Sequence, residues 1–124
     1  MVGVKNILII EDDFFIRDLY QKQFTKEGYA VDTAEDAEIG LEKVRSGQAN
    51  LILLDIMLPK MSGLDLLKIL KAEAALQNIP VVMLTNLGQD NAIKQAFDLG
   101  AEGYLVKSAY TPTQVVQEVK GYIK

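Results

Sequence analysis

The polar residues that could do chemistry in this chain stand in four places: Glu11-Asp12-Asp13, Asp55, Thr85-Asn86 and Lys107. Each place ends a short apolar run, respectively Ile7-Leu8-Ile9-Ile10, Leu51-Ile52-Leu53-Leu54, Val81-Val82-Met83-Leu84 and Gly103-Tyr104-Leu105-Val106. Such a run, bounded by turn signals, suits a strand covered on both faces, as in a parallel sheet. Asp55 is the plainest case, with Pro59 stopping the chain just beyond it. In open α/β sheets the carboxyl ends of the strands form the crevice where ligands bind. Three acids and a lysine brought to that edge would repel or desolvate one another unless something cationic joined them. Oxygen donors, with no His or Cys in the chain, favour a hard divalent metal. Few carboxylates, completed by waters and a phosphate, favour Mg²⁺ over Ca²⁺. Taken singly, the acids read as solvated surface, Thr85 as a cap or turn residue and Lys107 as a surface lysine. The signal is that four different strands of one sheet end in them.

The elements that must position these residues alternate. After the first strand, Ile16, Leu19, Tyr20 and Phe24 share a helical face, closed by Gly28. Tyr29-Ala30-Val31 is a short second strand, and Ala37, Leu41 and Val44 mark a helix closed by Gly47. Asp55's strand is the third, followed by a loop with Pro59 and Gly63 and a helix carrying Leu67, Leu70 and Ala74. Pro80 precedes the fourth strand, and Ile93, Ala96 and Phe97 face inward from a helix that stops at Gly100. The fifth strand runs from Gly103 to Val106. Thr111 as N-cap, Pro112 at the first helical position and Gln114 form a capping box, opening a helix with Val116, Val119 and Ile123 inward. Five βα units predict an α/β fold, a parallel sheet with helices on both faces and right-handed crossovers.

Composition bounds the function. At 124 residues the chain is expected to be one domain, 1–124, with no effector domain left over. A net charge of −4 argues against direct nucleic-acid binding, which needs a basic face, and points to protein partners. The lack of cysteine excludes disulfide and thiolate chemistry and fits the cytoplasm. Met1 to Asn6 carry no signal peptide, and no apolar run approaches the roughly 18 residues of a membrane span.

The acidic residues after strand one, the Asp-x-x-x-Pro after strand three with a Gly four residues beyond the Pro, the Thr after strand four and the Lys after strand five together resemble a response-regulator receiver domain. The resemblance covers essentially the whole chain. It implies a flavodoxin-like (βα)5 doubly wound fold with strand order 2-1-3-4-5, and the match of Ile16-Arg17 makes Glu11 and Asp12 the acidic pair. Asp13 is then a helix N-cap. The resemblance further implies that Asp55 accepts a phosphoryl group from the phosphohistidine of a sensor histidine kinase or histidine phosphotransfer protein. Mg²⁺ would be held by Asp12, Asp55 and the backbone carbonyl of Met57, with Glu11 acting through water. Lys107, Thr85 and the backbone of Met57 and Asn86 would hold phosphoryl oxygens. Thr85 and Tyr104 would act as the switch, reshaping the helix 4/strand 5/helix 5 face toward a downstream protein target. Tyr104 reads equally well as a half-buried strand aromatic with its hydroxyl at the surface.

The chain departs from the family pattern at three positions. Ser108 stands where the family has Pro with a cis bond before it, so either Lys107 is presented by a trans bond with a rearranged loop or the site bears strain. Asn86 replaces a small residue, crowding the phosphate or adding a donor. Gly103 replaces the acid of dimerising receivers, which makes a monomer the expectation. Met57 and Leu87, two residues beyond Asp55 and Thr85, cannot orient an attacking water, so slow self-dephosphorylation is expected. A metal-dependent phosphohydrolase would want a second Asp where Met57 stands. A degenerate, purely binding receiver would lack the Asp, the acidic pair or the Lys. The chain is therefore not expected to be an enzyme beyond its own phosphorylation and dephosphorylation.

Overall fold

The chain is described by a computed structural model covering residues 3–123. Met1 and Val2, part of the stretch read for a signal peptide, and Lys124 lie outside the described residues. Five parallel strands, β1 (Asn6–Ile10), β2 (Ala30–Ala34), β3 (Leu51–Leu54), β4 (Val81–Thr85) and β5 (Gly103–Val106), form one sheet in the order β2-β1-β3-β4-β5. Helices α1 (Phe14–Lys26), α2 (Ala37–Ser46), α3 (Gly63–Ala72), α4 (Asp90–Asp98) and α5 (Pro112–Val119) connect and follow them. The order 2-1-3-4-5 and the flavodoxin-like architecture are as the resemblance implied.

The strands read as unbroken apolar runs because both sheet faces are covered. Leu8 and Ile10 of β1 and Ile52 and Leu54 of β3 join Val44, Leu66, Leu67, Leu70 and Ala96 on one face. The alternate residues Ile7, Ile9, Leu51 and Leu53 join Tyr20, Phe24, Val115, Val116 and Val119 on the other. Period-two alternation thus sends every second side chain to a different core. At roughly 1.5–3 kcal/mol for each fully buried aliphatic side chain, these two layers dominate the favourable side of folding.

Register decides which strand ends meet. Ile10 pairs with Leu54 across β1 and β3, so Glu11 and Asp55 leave the sheet side by side. Leu54 pairs with Met83 and Thr85 with Val106, which brings Thr85 and Lys107 to the same edge.

Caps agree with the sequence. Asp13 accepts from the Ile16 amide at 3.1 Å, and Thr111 and Gln114 close the capping box of α5. Gly28 at φ +96° and Gly100 at φ +105° end α1 and α4 in the left-handed region that favours glycine.

Several expected core positions are corrected. Leu19 and Phe97 are 51% and 47% exposed. Each precedes or follows a buried residue by one step, Tyr20 or Ala96, and one step turns a helix by about 100°, away from the core. Ala74 is exposed and outside α3, which ends at Ala72; Leu76 plugs the core instead. Ile123 lies beyond α5, after a 3₁₀ turn over Lys120–Tyr122, and is half-buried. β2 begins at Ala30 rather than Tyr29 and extends to Ala34, a stretch whose alternation of exposed and half-buried residues marks an edge strand.

Candidate functional site: an acidic edge bridged by a lysine

Asp55 follows β3 directly and is 5% exposed, its amide bonded to the Ile10 carbonyl at 3.1 Å. Its Oδ1 accepts from the Met57 amide at 3.1 Å and its Oδ2 from Lys107 Nζ at 2.9 Å. The same ammonium bonds Glu11 Oε1, while Glu11 Oε2 accepts from the Asp13 amide at 3.0 Å. Lys107 therefore ties the end of β5 to the ends of β1 and β3. Its side chain is 9% exposed, so this is a buried charged triad, in which losing one partner leaves another uncompensated.

Burial works hardest on these groups. It pushes the Glu11 carboxyl above its usual range, outweighing the bonds from Lys107 and the Asp13 amide that act the other way. For Lys107 burial opposes the charged form, but the bonds to Asp55 and Glu11 overcome it and hold its pKa above the ordinary lysine value.

Asp12 is exposed, and its carboxylate comes within 4.8 Å of those of Glu11 and Asp55, with no other group of three or more potential metal ligands among the described residues. Three carboxyl groups facing one ammonium leave, when ionised, two negative charges uncompensated. A divalent cation matches that charge, and an all-oxygen donor set suits a hard one. Asp13 is engaged as the α1 cap, and the clustered carboxylates are those of Glu11, Asp12 and Asp55.

Thr85 ends β4 fully buried, its Oγ1 3.5 Å from the Leu87 amide. Asn86 follows it, exposed. Tyr104 is half-buried, and its hydroxyl donates to the Leu87 carbonyl at 2.5 Å rather than lying free at the surface. The main chain of Leu87 thus touches both Thr85 and Tyr104. Burial, followed by the nearby Asp55 charge, raises the Tyr104 pKa. Met57 is 58% exposed at the mouth. All peptide bonds among the described residues are trans, including Lys107–Ser108, and Lys107 opens a 3₁₀ turn through Ala109. Of the two arrangements left open at Ser108, this is the trans one.

Two residues named from the family pattern make contacts that were not legible beforehand. A Cβ on Gly63 would lie 2.0 Å from the Asp55 carbonyl oxygen, so the start of α3 packs onto the backbone of Asp55. Arg17 donates from Nη1 to the carbonyls of Glu11 and Asp12 at 2.8 and 3.3 Å. Sequence spacing reports neither contact, because both are made to main-chain atoms.

No described helix is long and apolar enough to cross a membrane. The family model for the response regulator receiver domain matches residues 7–120. The chain is 34% identical over 120 residues to the phosphate regulon transcriptional regulatory protein PhoB of Klebsiella pneumoniae, covering 97% of this chain and 52% of that protein. It spans about half the length of the curated relatives it matches. The crystal structure of a CheY-like response regulator receiver domain protein from Methanospirillum hungatei superposes with a TM-score of 0.87 at 32% identity, covering 96% of this chain and 93% of that one. The phosphorylated cyanobacterial phytochrome response regulator RcpA superposes with a TM-score of 0.83 at 30% identity, covering 96% and 91%. An acidic edge bridged by a lysine, a buried threonine beside it, the strand order and a family match over nearly the whole length converge: this chain belongs to the response regulator receiver domains of two-component systems.

Proposed function

We propose that residues 1–124 act as a single phosphoacceptor domain, taking a phosphoryl group onto Asp55 from the phosphohistidine of a sensor histidine kinase or a histidine phosphotransfer protein. The observation that carries this reading is the placement of Asp55, with one oxygen on the Lys107 ammonium and the carboxylates of Glu11 and Asp12 within 4.8 Å of its own. A carboxylate oxygen of Asp55 attacks phosphorus, the P–N bond breaks and the imidazole leaves with the electron pair, giving an aspartyl phosphate. Glu11, Asp12, Asp55 and the Met57 carbonyl are the groups assigned to Mg²⁺, which when bound supplies charge neutralisation for the phosphoryl oxygens. Lys107 gives up its bond to Asp55 Oδ2 and holds a phosphoryl oxygen. The Thr85 hydroxyl and the main-chain amides of Met57 and Asn86 hold the others.

Signalling follows from the contact chain through Leu87. When Thr85 moves toward the new phosphoryl group, the loop that also holds the Tyr104 hydroxyl must shift, and the face of α4, β5 and α5 changes for a downstream protein partner. The Klebsiella relative is named a transcriptional regulatory protein; for the receiver itself the acidic net charge argues for a protein target.

Labelling with a small acyl phosphate and Mg²⁺ tests the reading. Wild-type protein should gain one phosphoryl group only when Mg²⁺ is present, and Asp55→Asn should gain none. Full labelling of Asp55→Asn under the same conditions would refute it.

A further inference from the structure

We propose that Arg17 is a positioning residue for the cation site, its guanidinium holding the main chain of Glu11 and Asp12 so that both carboxylates turn toward Asp55. This rests on the reading of that edge as a divalent-cation centre. β1 ends at Ile10, and the Glu11 amide still bonds the Ala34 carbonyl of β2 at 2.9 Å. Beyond that point the chain leaves the sheet before α1 has begun. The Asp13 carbonyl is taken by the Arg17 amide at 2.9 Å as the first bond of α1. The carbonyls of Glu11 and Asp12 lie between these two systems, and Arg17 Nη1 bonds both, at 2.8 and 3.3 Å.

The loop is thus fastened at opposite ends of the same residues. Lys107 and the Asp13 amide hold the Glu11 side chain, and Arg17 holds the backbone behind it. Charge-assisted bonds of this kind are the stronger class. The guanidinium is itself steadied by the Phe14 ring, whose centroid lies 5.7 Å from Arg17 Cζ. Arg17 sits one turn into α1, so it couples the acidic loop to a rigid helix. An arginine suits the task, because it keeps its charge and carries on Nη1 two N–H donors, one for each of the two successive carbonyls. Without it, the two carboxylates must be ordered by the cation itself, at a cost in affinity.

A contrary effect makes the idea testable. As a bare positive charge near the site, Arg17 would repel a divalent cation, so its removal would tighten binding; as a clamp, its removal weakens it. Calorimetric titration of MgCl₂ into metal-free protein separates the two, with thermal unfolding in the absence of Mg²⁺ as the control for folding. Arg17→Met should remain folded and bind Mg²⁺ about tenfold more weakly, as expected when groups that orient metal ligands are lost. Arg17→Lys, able to reach one carbonyl, should recover part of the loss. Should Arg17→Met fail to fold, Arg17→Gln, which keeps an N–H donor without charge, carries the test and should bind more weakly than wild type. Affinity in the folded neutral variants equal to or tighter than wild type would overturn the proposal. Wild-type protein that binds no Mg²⁺ would instead remove the reading of the centre, and this inference with it.

Discussion

Met57 and Leu87 are the residues proposed to flank the approach to Asp55, one 58% exposed and the other half-buried with its carbonyl bound by Tyr104. Neither side chain can accept or donate a hydrogen bond of useful strength to an attacking water. The aspartyl phosphate of this chain is therefore expected to be long-lived. Met57→Asn combined with Leu87→Glu should speed its decay, followed in the presence of Mg²⁺; decay no faster than in the parent would discount the two side chains as the cause. A second residue-scale effect is pH-dependent. Asp36 caps α2 by accepting from the Ile39 amide at 2.8 Å, and this bond first, then the Lys60 ammonium, hold its carboxyl below the usual range. A depressed carboxyl contributes stability that is present above its unfolded pKa of 3.8 and lost as the pH falls through the folded value. Asp36→Ala should lower Tm near neutral pH. The gap to wild type should narrow below about pH 4, and a constant gap across that range would assign the loss to packing alone.

Glycines decide two element junctions. α3 starts at Gly63, where an added Cβ would meet the Asp55 carbonyl oxygen at 2.0 Å and the Ile56 Cα at 2.8 Å. The Gly63 amide also bonds the Ile56 carbonyl at 2.9 Å. The helix is thereby seated directly on the loop that carries Asp55, the proposed phosphoacceptor. Gly63→Ala should cost about 1–3 kcal/mol, the usual range for overpacking, measured by denaturant unfolding, and should weaken Mg²⁺ binding by displacing Asp55. Wild-type stability in that variant would mean that the loop yields without cost. Gly103, the position where the sequence departs from dimerising receivers, begins β5 beneath Tyr122, whose ring carbon Cζ would lie 2.8 Å from an added Cβ. With no side chain at Gly103, the tip of the Tyr122 ring, in the turn after α5, rests against the start of the edge strand.

At the scale of the whole molecule, the acidic edge sets stability against cation binding. Glu11 and Asp55 share one lysine and Asp12 adds a third carboxylate beside them, so removing the Asp12 charge relieves the metal-free fold while weakening cation binding. A cation bound only by the native state stabilises it by about 2.7 kcal/mol at a hundred times its dissociation constant. Asp12→Ala should therefore unfold no more easily than wild type without Mg²⁺, yet lose most of the gain in Tm when Mg²⁺ is added. Asp13→Ala should do the reverse, keeping the gain but starting lower by about 1 kcal/mol for the lost cap. The opposite pattern in a pair of thermal titrations would exchange the roles of the two aspartates.

The periodicity of apolar residues determined the alternation of strands and helices, since four-residue apolar runs need cover on both faces and fit only a doubly covered sheet. The ends of β1, β3, β4 and β5, and with them Glu11, Asp55, Thr85 and Lys107, could be read to within a residue, whereas β2 runs on to Ala34, three residues past the expected Val31. The Thr111 cap was equally plain, because its bonds span only three residues, whereas the Asp13 cap followed from the family resemblance. Strand order came from family resemblance, not from local pattern. Burial next to a helical face was misjudged at Leu19 and Phe97, where one residue's turn of about 100° moves an apolar side chain into water. What only the tertiary structure decided is who touches whom across the edge: Lys107 joins Glu11 and Asp55, separated by 96 and 52 residues from it, and Gly63 and Arg17 press on carbonyl oxygens. Main-chain atoms are the same in every residue, so no pattern of side chains along the sequence could reveal these contacts.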